Sequence, residues 1–172
     1  MYYRPRVDPD QALRAVWSSS VLSGPFDEDG RRRAPPFYVP DVDEGSLKQG
    51  LVALHGAATV GCFSYCVADD ESIDLVFGIP LVQLGRVWPD ALDEQHIGGE
   101  WELPVEELLL VIATDVYALA PFQRALTGVE VGACPDELEP PEPLPVRHWL
   151  GIIEPRNGEL TWYPPTERAW AE

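Results

Sequence analysis

Cys62, Cys66 and Cys134, together with His55, His96 and His148, are the side chains of this sequence best suited to nucleophilic, proton-transfer or metal chemistry. Their spacing argues against all three. Cys62 and Cys66 stand four apart in a segment with strand character, so their side chains share a face about 13 Å apart. That gap is too wide for one metal, and the close C-x2-C pairs of zinc sites are absent. Both are expected to be buried and inert. His96 lies in Asp93-Glu94-Gln95-His96, a stretch expected to be an exposed loop. His148 alternates with Leu150 and Ile152 and reads as a sheet-face residue. None of the histidines has a motif partner that would orient it as a base. Ser64, in Gly61-Cys62-Phe63-Ser64-Tyr65-Cys66, lacks the second glycine of a nucleophile elbow. The sequence has no glycine-rich phosphate loop, no H-E-x-x-H and no calcium-loop pattern. No catalytic residue, metal ligand or cofactor is therefore assigned.

The acids carry the stronger signal. Asp69, Asp70, Glu71 and Asp74 cluster in and beside an expected turn. Asp136, Glu137, Glu139 and Glu142 are interleaved with prolines further on. Neither group has calcium-loop spacing. Carboxylates in such groups can pair with arginines on a partner, where two-point hydrogen bonding adds orientation to attraction. These eight residues are the expected partner-binding set.

The whole chain leans the same way. Its 172 residues carry a formal net charge of −17. The first 60 residues hold eight acids and seven bases, and the remaining 112 hold twenty-one acids and five bases. Phosphate backbones are repelled by such a field, which excludes nucleic acid as a partner. A basic protein is attracted by it. High net charge also favours solubility in its own right.

Positioning these groups requires a set of short elements. Asp8 as N-cap, Pro9 at the first helical position and Gln11 in capping-box register open a helix with Leu13, Val16 and Trp17 on one face. Residues 23–47 read as a long irregular segment, in which Arg31-Arg32-Arg33 neutralises Asp27-Glu28-Asp29. Strands are expected at Leu51–His55, Thr59–Val67 and Ser72–Phe77, with Ala68-Asp69-Asp70-Glu71 as a hairpin turn. Both faces of the second strand are fairly apolar, which predicts a central strand covered on both sides. A short helix from Pro80 and a long one from Pro104, closed by Pro121, follow. Strands near Gly128–Gly132, at Arg147–Ile153 and at Glu159–Tyr163 complete the order, with Asn157-Gly158 as a tight hairpin turn. Residues 135–145 read as an acidic, proline-rich connector.

The expected fold is α+β, one domain over 1–172, with an antiparallel sheet of about five or six strands and helices packed on one face. No stretch approaches the apolar length of a membrane span, the start lacks a secretory signal pattern, and the odd cysteine count opposes a disulfide framework. A cytoplasmic location is expected. The functional expectation is a non-enzymatic acidic binding protein, of the immunity or toxin-neutralising type, that occludes a basic protein partner. Two alternatives stand beside it. One is a small-molecule binder or hydrolase-like enzyme with a pocket between sheet and helices; the other is a structural subunit of a larger assembly.

Overall fold

The first helix forms where its capping residues direct. In the computed structural model, which describes residues 1–3, 7–38, 47–54, 58–68, 73–92, 101–128 and 150–166, α1 spans Pro9–Trp17. Asp8 is extended, and its carboxylate accepts the Asp10 N–H at 3.0 Å, satisfying one of the helix's orphan donors. Gln11 does not turn back to complete a capping box. Its Nε2 donates instead to the Leu119 carbonyl at 3.0 Å, tying α1 to the end of the long helix α3, Glu102–Leu119. Ser18 closes α1 as its C-cap.

α1 packs on a sheet of four substantial strands, β2 (Leu22–Phe26), β3 (Lys48–Ala53), β4 (Thr59–Ala68) and β5 (Ile73–Gly78). A two-residue strand, β1 (Tyr2–Tyr3), adds to the β5 edge, so the order is β1-β5-β4-β3-β2, all antiparallel. Period-two alternation sorts the side chains cleanly. Val52, Val60, Cys62, Cys66, Ile73 and Leu75 are buried toward α1. α3 lies against α1 as a further layer, and Val105, Leu108, Ile112 and Val116 join the same core.

One fit in this core depends on absent side chains. The Trp17 indole lies against Gly24 and Gly50, and a Cβ on Gly50 would run into its ring. Those glycines let a helix with a large aromatic residue approach the sheet closely.

The remaining strands do not extend this sheet. β6 (Ala125–Thr127), β7 (Gly151–Arg156) and β8 (Glu159–Tyr163) form a second antiparallel sheet in the order β6-β7-β8. The expectation of one sheet of five or six strands is thus corrected to two sheets. The reason lies at the edges. β2 is bulged between Ser23 and Phe26 and contains Pro25, which has no N–H to offer a further strand. Its outer side is occupied by its own chain, through the Phe26–Arg32 bridge and the Arg33 N–H bond to the Pro25 carbonyl. β2 itself lies in the segment expected to be irregular. The β7–β8 hairpin turns where the sequence indicated, with Asn157 at φ 54° and Gly158 at φ 88°. Arg124, immediately before β6, forms an ion pair with Glu154 of β7, with side chains 14% and 12% exposed. Among the described residues no helix is long and apolar enough to cross a membrane.

Asp10 joins three parts of this architecture. Its Oδ1 accepts the Phe37 and Tyr38 backbone N–H groups, and its Oδ2 accepts from Arg14 Nε. Desolvation opposes the charge. The two backbone donors and Arg14 outweigh it and hold the carboxyl below its ordinary value of 3.8. Asp10→Asn is expected to cost about 2–3 kcal/mol at neutral pH, because one oxygen becomes a competing donor in a buried site. A depressed carboxyl pKa adds stability above the unfolded value that is lost as pH falls through the folded one. Urea unfolding of both proteins should therefore show the difference shrinking below about pH 4.

Candidate interaction surface

The reactive groups point inward. Cys62 and Cys66 do share the inner face of β4, 4% and 1% exposed, and burial pushes both thiols up to about 12. A thiol so disfavoured as thiolate is a poor nucleophile. Ser64, between them, is wholly buried, and its Oγ has no hydrogen-bond partner among the described residues. Directly across the ladder stands Lys48, the sole lysine of the chain, 2% exposed. Burial and the nearby Arg33 charge lower its pKa, and Asp10 partly restores it. The alternation of Lys48, Gly50 and Val52 places Lys48 on the inner face, but lysine chemistry ordinarily predicts exposure. No group of three or more His, Cys, Asp or Glu side chains among the described residues could hold a metal ion.

The opposite face of the sheet is different. Phe63, Tyr65 and Val67 of β4 were expected to be covered, and the structure corrects this. Among the described residues none of them belongs to the core or packs against it, nor do Leu51 of β3 and Val76 of β5. Leu51 is 41% and Val67 54% exposed, while Phe63, Tyr65 and Val76 are half-buried. The cause is layering, since α1 and α3 both lie on the inner side. Among the described elements α2 (Leu81–Leu84) reaches this face, where Gln83 lies over Gly61 and accepts its N–H at 3.4 Å.

The register defines the surface. Leu51 pairs with Gly61, Phe63 with Gln49 and Gly78, Tyr65 with Val76, and Val67 with Asp74. Phe63 and Tyr65 are near-parallel, their centroids 6.3 Å apart and their planes within 9°. The Phe63 ring occupies the space that Gly78 leaves, where a Cβ would clash with it. An aromatic ring laid over a glycine shields an otherwise bare backbone and fixes the ring's position.

Of the eight acids expected to bind a partner, the structure places Asp74. It lies in β5 on the outer face, half-buried, at the Val67 end of the apolar patch, so it is a strand residue and not a solvated turn acid. Asp69, Asp70, Glu71, Asp136, Glu137, Glu139 and Glu142 lie outside the described residues, as do His55, His96, His148 and Cys134. Sequence reading missed the aromatic pair as a surface. The only signal available was the Phe63-Tyr65-Val67 alternation, which a doubly covered strand produces equally well.

Two measurements test this inside–outside assignment. In a Cys134→Ser background, a disulfide exchange reagent should leave both remaining thiols unreacted in the folded protein and titrate both in denaturant. Lys48→Met should be neutral or stabilising at pH 7, by up to about 2 kcal/mol, since a partly compensated buried charge is replaced by an apolar side chain of similar length. A lysine with lowered folded pKa binds fewer protons folded than unfolded, so wild-type stability rises with pH up to about 10.5. The advantage of the Met variant should correspondingly shrink toward that pH.

No protein-family model, curated protein or solved structure matches this chain.

Proposed function

We propose that this protein is a non-enzymatic binding protein that engages a basic protein partner, in the manner of an immunity or toxin-neutralising protein. The observation that carries this reading is the outward, aromatic-bearing face of the first sheet in a chain of net charge −17. A central apolar patch with a charged rim is the ordinary anatomy of a protein–protein interface. Leu51, Phe63, Tyr65, Val67 and Val76 supply the patch, and Asp74 stands at its margin. In sequence, the β4–β5 link adds Asp69, Asp70 and Glu71 immediately beyond Val67 and Ala68. Long-range attraction would raise the association rate, and desolvated aromatic contacts would slow release. Occlusion of a basic site by this surface is the proposed mechanism.

The apolar patch also favours a second reading, a structural subunit of a larger assembly. The two differ in salt dependence, because a permanent apolar interface depends little on ionic strength.

Affinity capture from the native host lysate at low and high salt tests the proposal, with wild type compared to Asp69→Lys/Glu71→Lys and Asp136→Lys/Glu139→Lys baits. A basic protein should be retained at low salt and lost at high salt. Charge reversal in at least one cluster should reduce its retention about tenfold or more. Retention indifferent to both salt and charge reversal would overturn the reading and favour the assembly subunit.

A further inference from the structure

We infer that the outer sheet face reads arginine in particular, with Phe63 and Tyr65 receiving guanidinium groups of the partner. This rests on the basic-partner reading above and names the chemistry by which that surface would select. Near-parallel rings at 6.3 Å offer π faces of one orientation on a strand whose pairing holds them in register. A guanidinium within about 6 Å of such a ring is attracted by its quadrupole. The protein already uses this contact internally, where the Arg156 guanidinium sits 5.3 Å from the centroid of Tyr163.

The apolar character of the surroundings decides between the two cations. Leu51, Val67 and Val76 flank the rings, and Asp74 stands at one end, opposite Val67. A lysine ammonium placed over the rings would surrender tightly held water with no carboxylate on the central pairs to replace it. A guanidinium is planar and more weakly hydrated, so it can lie over a ring and keep its edge donors hydrated. Stacked aromatic residues on a sheet also suit nucleobases, but a chain at −17 repels the phosphates that come with them. The same charge opposes pairing of this face with a second copy.

The test uses oligo-arginine and oligo-lysine peptides of equal length as probes, titrated calorimetrically at low salt into wild type and into Phe63→Leu/Tyr65→Leu. Leucine keeps the patch apolar and Gly78 covered while removing the π faces, and thermal unfolding of the variant confirms that it folds. The arginine peptide should bind wild type about tenfold more tightly than the lysine peptide. In the variant the ratio should fall to about one, with lysine-peptide affinity unchanged. Equal binding of the two peptides by wild type, or a preference for arginine that survives in the variant, overturns this inference and leaves the basic-partner reading standing. Failure of wild type to bind either peptide at low salt overturns both.

Discussion

The carboxylate of Asp10 holds more of this structure in place than any other single group described. It sits in the first turn of α1, where the helix dipole favours a negative charge. From there it reaches the backbone of Phe37 and Tyr38, the guanidinium of Arg14 and the field of Lys48. Arg14 shares its helix, whereas Phe37 and Tyr38 follow β2, so a single buried charge fastens the backbone at Phe37 and Tyr38 against α1. Burying it would be costly alone. Two backbone donors and one cation make it tolerable, and removing any of them would leave the others mismatched.

Polar groups occur inside a sheet face that is otherwise apolar. Lys48 and Ser64 occupy one cross-strand pair on the inner face, next in line to Phe77 of β5. Strand alternation turns Lys48 inward, and burial destabilises its ammonium, with Asp10 offsetting part of that cost. Among the described residues the Ser64 hydroxyl has no hydrogen-bond partner. In the folded chain both side chains are buried on the face that packs toward α1.

The two faces of β4 divide the labour of the molecule. Val60, Cys62, Ser64 and Cys66 face α1. Phe63, Tyr65 and Val67 face away; Phe63 and Tyr65 lie beside each other, and a glutamine from α2 covers Gly61 on the same side. An outward strand face usually carries polar residues, so an aromatic one is informative. The second sheet takes up α3 from another direction, with Phe122, Ala125 and Ile153 in the shared core.

Much of the local structure was legible in the residues themselves, because capping, turn and alternation signals act over a few positions. Asp8-Pro9 started α1, Asn157-Gly158 turned the last hairpin, and Ile73-Asp74-Leu75 declared one buried face. The α+β class followed from that order of elements. Tertiary contact alone decided the rest. Whether strands join one sheet or two depends on which edges remain open, and β2 closes its edge through Pro25 and Arg32. Whether Phe63 and Tyr65 are core or surface depends on which side the helices pack, which alternation cannot specify when both faces are apolar. The partial compensation of the Lys48 charge likewise comes from Asp10, thirty-eight positions away in sequence and brought into electrostatic reach only by folding.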